Sequence, residues 1–281
     1  MASHKLSSRT ETVVDAATLL DQPRANRLFI DVRLGEPADE FRSYREAHIH
    51  GAVHAQIRDV FAAPPTPSSG NLPLPEIAQL QRQLRAWGVN PDTEIVLYGP
   101  SPALAARGWW VLRWAGVRNV KILDGGLKAW ASQGGPVAQG EHPGLAPSSG
   151  AELVLAPGNL PSIAVEDVER LPADVLLIDA RDENAYLAGS IPRAVNLPAA
   201  EQWTPGSTLR TTEEIRALYA AKGALDGRDV VVYCGGGVLS AFCVATLSAF
   251  GVTPRLFVGS WSEWNKSAAR MARSAQEKVE A

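Results

Sequence analysis

The sequence has little cysteine: two residues, Cys234 and Cys243, in a chain of 281. A chain this long can bury a core without covalent staples, so a fold that depends on disulfides is not expected. The two cysteines form no CxxC and have no nearby histidines, so no structural zinc site is expected either. Charge of one sign is also lacking. With 27 Lys and Arg against 30 Asp and Glu, the formal net charge is −3, which gives no reason to expect nucleic acid as a partner. No apolar run is long enough to span a bilayer, and Met1 to Thr12 contain no apolar signal-peptide core. These absences lead to the expectation of a cytoplasmic protein with reduced thiols and no membrane partner.

What is present is a pattern that occurs twice. Leu28 to Arg33 reads as a buried strand and returns as Leu176 to Arg181, both carrying Asp-x-Arg. Tyr44 to Val53 returns as Tyr186 to Val195. The strand Glu94–Tyr98, followed by Gly99, returns as Val230–Tyr233, followed by Cys234. Gly125 to Trp130 returns as Gly259 to Trp264. The helix predicted from Leu74 to Trp87 has its counterpart in one opened by the capping box Thr211-Thr212-Glu213-Glu214 and ending near Lys222-Gly223. The offset drifts only from 148 to 134 residues along the chain, so the chain is a duplicated domain. Strands alternating with helices predict an α/β fold with a parallel sheet flanked by helices in each copy. The expected division is a first domain over 10–135, a linker rich in Gly, Pro and Ser over 136–161, and a second domain over 162–272.

The stretch Tyr233-Cys234-Gly235-Gly236-Gly237-Val238-Leu239-Ser240 is the candidate site. It lies between a buried strand and an apolar helix predicted over Val238 to Phe250, at the carboxyl edge of the sheet, where sites of such folds gather. Helix-start N–H groups and the helix dipole favour an anion there, and thus a thiolate. The glycines are expected to take positive φ and curl their N–H groups around the sulfur. Cys234 is therefore read as an exposed nucleophile in an anion-binding cradle. Cys243, inside the apolar helix, is read as core. The first copy has Gly99 where the second has Cys234, so it is read as catalytically inactive.

On the Asp-x-Arg pairs (Asp31/Arg33 and Asp179/Arg181), the His48-Ile49-x-Gly51-Ala52 segment, the cysteine loop and Gly-Ser-Trp-x-x-Trp from Gly259, nearly the whole chain resembles the tandem-rhodanese family of sulfurtransferases. The resemblance implies an inactive first domain, an active second one, and transfer of a sulfane sulfur through a Cys234 persulfide without metal or organic cofactor. It implies thiosulfate or 3-mercaptopyruvate as donor, and cyanide, thioredoxin or a low-molecular-weight thiol as acceptor. In that family basic residues after the cysteine accompany thiosulfate and small neutral loops accompany mercaptopyruvate. The neutral loop here favours mercaptopyruvate, although Gly236 and Leu239 depart from that pattern.

The persulfide is expected to be held by the N–H groups of Gly235, Gly236, Gly237, Val238, Leu239 and Ser240. Arg181 is a candidate clamp for the donor's acidic group, although Arg33 at the same place in the other copy argues for a structural pair. His48 is a candidate acid facing Cys234 across the cleft, with Asp39 orienting it, and Trp261 is a candidate pocket wall. His48, His50 and His54 alternate but lack a carboxylate or cysteine to complete a metal site. A phosphatase needs Cys-x5-Arg, and the sixth position after Cys234 is Ser240. A persulfide carrier serving one protein partner remains the non-enzymatic rival.

Overall fold

The computed structural model describes residues 9–146 and 153–280. The first sheet contains β1 (Val13–Val14), β2 (Arg27–Arg33), β4 (Val53–Gln56), β5 (Glu94–Tyr98) and β6 (Val120–Leu123), all parallel, in the order β1-β6-β5-β2-β4. The second contains β8 (Ser162–Ile163), β9 (Leu176–Asp179), β10 (Val195–Asn196), β11 (Val230–Tyr233) and β12 (Arg255–Phe257), also parallel, in the order β10-β9-β11-β12-β8. Read from the opposite edge, the two orders are the same. β5 and β11 are buried at every position, as strands covered by helices on both faces must be, and this is why, apart from the ion-paired Glu94 that opens β5, they read as apolar runs.

Smaller details repeat as well. Tyr44 Oη donates to Ala52 O at 2.7 Å, and Tyr186 Oη to Ala194 O at 2.9 Å. Tyr98 Oη accepts from the Ile49 N–H, and Tyr233 Oη from the Ile191 N–H, both at 3.0 Å. The two copies meet through the helices Pro102–Trp114 and Leu239–Ser248, which pack on each other and contribute to one buried cluster. A helix covered by its own sheet on one side and a second helix on the other must be apolar nearly all round, and both are. The first opens with Ser101, whose Oγ accepts from the Ala103 N–H, and with Pro102 at its first position.

The segment expected to be a linker is docked where it is described. β3 (His48–Ile49) pairs antiparallel with β7 (Val137–Ala138), an addition that, among the described residues, only the first copy has. Leu145 N–H donates to Trp87 O, and Gln81 bonds both Leu153 O and Leu155 N. Leu155 is buried in the shared core. The described parts of this segment, 136–146 and 153–160, therefore lie on the first domain's surface, where the buried Leu155 and the paired Gln81 amide hold the second of them. No helix among the described residues is long and apolar enough to cross a membrane.

Candidate active site

Cys234 follows β11 directly and sits between β9 and β12 at the carboxyl edge of the second sheet. It is 1% exposed, which corrects the expectation of an exposed cysteine. The covering comes from two directions. The turn after β12 lies beneath: Cys234 N–H donates to Ser260 Oγ at 3.1 Å, while Trp261 N–H donates to Cys234 O and Ser262 N–H to Gly235 O, both at 2.9 Å. From the first domain, Asn71 N–H donates to Ser262 Oγ at 2.9 Å. Gly70 lies so close to this turn that a Cβ there would stand 2.5 Å from Gly259 O. A neighbouring domain thus roofs the loop, which no local pattern around Cys234 announces.

Two donors reach the sulfur closely, Gly237 N–H at 3.1 Å and Ser240 Oγ at 3.3 Å, and Ser260 Oγ stands farther off at 4.0 Å. Of the three glycines only Gly237 has positive φ, at +83°, so the curl expected of the whole run is concentrated in one residue. Gly235 and Gly236 face open space or ordinary contacts. The N–H groups of Gly235, Gly236, Val238 and Leu239 do not bond to the sulfur. Ser240 acts through its hydroxyl, which the reading of the loop as a row of N–H donors overlooked. Ser260, buried at φ +54°, was overlooked too, although the Gly-Ser-Trp motif contains it.

The other candidates separate. Arg181 is closed on Asp179, with Nε 3.0 Å from Oδ1 and Nη2 2.5 Å from Oδ2, and Nη2 also donates to Gly189 O. Arg33 closes on Asp31 in the same way, at 2.9 and 3.0 Å. Trp261 stacks its ring on the Arg181 guanidinium, 4.8 Å away, and its own backbone touches Cys234. His48 does not face Cys234. It is buried in β3, stacked on Tyr44 at 4.3 Å with Nδ1 3.0 Å from Tyr44 O. Asp39 does not orient it, because it is exposed on helix Pro37–Glu46 and paired with Arg42. The β3–β7 pairing holds His48 within the first domain. No cluster of metal-ligating side chains is found among the described residues.

One cation that sequence reasoning missed approaches the loop. Arg107, on helix 102–114, is fully buried and donates to Leu72 O at 2.8 Å, Phe61 O at 3.1 Å and, at a long 3.5 Å, Gly237 O. Burial pulls its pKa down to about 10, and the charge of Cys234 acts in the opposite direction. The guanidinium is therefore still charged at neutral pH. Cys243, by contrast, is pushed up to about 12 by burial. A sulfur beside a helix start, with two donors aimed at it and a buried cation behind, is an arrangement that can hold a sulfur-centred anion.

The family model for the rhodanese-like domain matches residues 12–133 and again 164–267. A putative thiosulfate sulfurtransferase, SseB, of Mycobacterium tuberculosis is 34% identical, covering 94% of this chain and 98% of the relative. A probable 3-mercaptopyruvate sulfurtransferase of Pseudomonas aeruginosa is 35% identical, covering 92% and 95%. The crystal structure of SseA from Escherichia coli, a protein of the 3-mercaptopyruvate type, superposes with a TM-score of 0.74 at 30% identity, covering 89% of this chain and 99% of that one. With the family model matching twice and these relatives at least 30% identical over about nine-tenths of its length, the chain belongs to the rhodanese family of sulfurtransferases, as a member with two tandem domains.

Proposed function

We propose that the protein moves a sulfane sulfur from 3-mercaptopyruvate to cyanide, thioredoxin or a low-molecular-weight thiol through a persulfide on Cys234. The observation that carries this is the pair of donors on Cys234 Sγ, from Gly237 N–H and Ser240 O–H. The thiolate attacks the donor's sulfur and an S–S bond forms. The C–S bond breaks with its electron pair going to the enolate of pyruvate, which takes up the proton released by the donor thiol. The persulfide's outer sulfur carries the charge beside the loop donors. An acceptor nucleophile then attacks that sulfur, and the S–S pair returns to Cys234. No metal or organic cofactor enters this cycle. The first domain is catalytically inactive, because Gly99 offers no nucleophile, and it serves as the cover of the active loop. Two free thiols suit a reducing compartment such as the cytoplasm.

The donor follows from charge. Gly235 to Ser240 carry no cation, and Arg181 is committed to Asp179 and the Gly189 carbonyl, so little remains to clamp a dianion. Thiosulfate is the second reading, favoured by the relative of that name. Steady-state transfer to cyanide from each donor, with Cys234→Ser as control, tests both. A higher kcat/KM with mercaptopyruvate is expected, and a higher value with thiosulfate replaces the first reading with the second. No turnover with either, alongside sulfur hand-over to a protein, would leave the carrier.

A further inference from the structure

Arg107 presents a physical problem that the proposed function does not resolve. Its side chain is fully buried, and among the described residues it forms no ion pair with a carboxylate. Three backbone carbonyls share its two Nη atoms, and among the described residues its Nε–H has no partner. A buried unpaired charge is costly and is usually compensated or neutralised. A thiolate on Cys234 acts in the direction that keeps this guanidinium protonated.

The position is as informative as the charge. Leu72 O belongs to the first-domain segment that roofs the loop, and Gly237 is the residue whose N–H reaches Cys234 Sγ. A Cβ on Gly237 would stand 2.9 Å from Arg107 Nη1, so the guanidinium lies directly against the turn at φ +83°. We infer that Arg107, a residue of the first domain, is the counter-charge of the Cys234 sulfur anion and a positioning residue for Gly237. This rests on the reading of Cys234 as nucleophile and extends it: the first domain supplies a charge to the active site.

Other ionisable groups near this end of the sheet do not supply the charge. Cys243 on helix 239–248 is neutral, its pKa held near 12. Tyr233, at the end of β11, is neutral because burial raises its pKa. Arg181 and Asp179 at the end of β9 cancel each other. Glu263 on Ser260–Trp264 has a raised pKa, from burial, and the wrong sign.

The test is the rate of Cys234 alkylation by iodoacetamide, a neutral reagent, at pH 6.5 and pH 9, in a Cys243→Ala background. In Arg107→Met the ratio of the two rates is expected to fall about tenfold or more, the effect of removing an opposite charge at close range. Arg107→Lys keeps the charge and is expected to hold the ratio within about threefold. An unchanged ratio in Arg107→Met, or an equal fall in both variants, overturns the inference. Should Arg107→Met not fold, thermal melts of wild type and Cys234→Ser at the two pH values decide. An anion favoured in the folded state makes the wild type gain on Cys234→Ser as pH rises, and no gain overturns the inference. Alkylation needs no sulfur donor, so a failure of the proposed turnover is seen separately.

Discussion

The loop after β5 and the loop after β11 occupy the same place in their sheets and share the same frame. Each is preceded by a tyrosine whose Oη accepts a backbone N–H. Each has a closed Asp-x-Arg pair on the neighbouring strand. Each is roofed by the other domain: Asn71 N–H donates to Ser262 Oγ over one, and Leu209 N–H donates to Asp124 Oδ1 at 2.7 Å over the other. The difference is confined to a few residues. Gly99 replaces Cys234, and Pro100 and Pro102 stand where the second loop has Gly235 and Gly237. Proline has no N–H, so the first loop has lost both the sulfur and the donor that reaches it. What the copies share is architecture, and what only the second has is chemistry.

The sharpest way to break this comparison is to exchange the two positions. Cys234→Ser is expected to lower sulfur transfer by about ten-thousandfold or more in a protein that still folds and melts cooperatively. Adding Gly99→Cys to that variant is expected to restore nothing. A Cβ at Gly99 would stand 2.3 Å from Val32 O, and Pro102 supplies no donor. Measurable recovery in the cyanide assay would show that the loops are interchangeable. Next in size is the shared Asp–Arg pair. Arg33→Ala and Arg181→Ala each strand a fully buried aspartate, at a cost of about 3–5 kcal/mol. Urea unfolding is expected to show similar losses for both. An Arg181→Ala protein of normal stability with a raised KM would instead make that arginine a substrate clamp.

The repeat and the central strands were legible in the sequence because parallel strands covered on both faces leave continuous apolar runs: β5 and β11 have the bounds read from the sequence. The capping box at Thr211 was legible because it is local, and it forms as read. What could not be read depends on docking. An arginine within a helix reads as surface, and Arg107 is buried only because two helices and the roof segment meet around it. The position of His48 depends on a strand, β7, that a Gly- and Pro-rich stretch gave no reason to expect. Three glycines in a row do not say which one bends.

His48 and its counterpart Ser190 sharpen the comparison from the other side, since a difference between copies need not be chemical. His48→Ala removes a stacked, hydrogen-bonded ring and is expected to cost about 1–3 kcal/mol, leaving kcat/KM unchanged. A fall in turnover at full stability would return His48 to the site. A smaller effect is expected at Gly236, where an added Cβ would have nothing closer than 3.9 Å. Gly236→Arg is therefore expected to fold and to shift donor preference toward thiosulfate by about tenfold, through one charge. An unchanged donor ratio would mean that loop charge does not select the donor.

The smallest effect expected concerns the second domain's own two thiols, both almost fully buried. Burial alone does not distinguish them, but their surroundings do. Cys243 lies within the helix, with Gln202 Nε2 3.4 Å from its sulfur, and burial pushes its pKa up to about 12. A thiol whose folded value lies above its unfolded one stays protonated as pH rises, and only the unfolded chain gives up the proton near the usual value of about 8.5. Cys243 therefore weakens the fold slightly above that pH without becoming reactive in it. Intact-mass measurement after iodoacetamide treatment at pH 9 is expected to show one adduct on the native protein and two in urea. A second adduct on the native protein would show that helix 239–248 opens, and with it the frame that holds Ser240 against the sulfur.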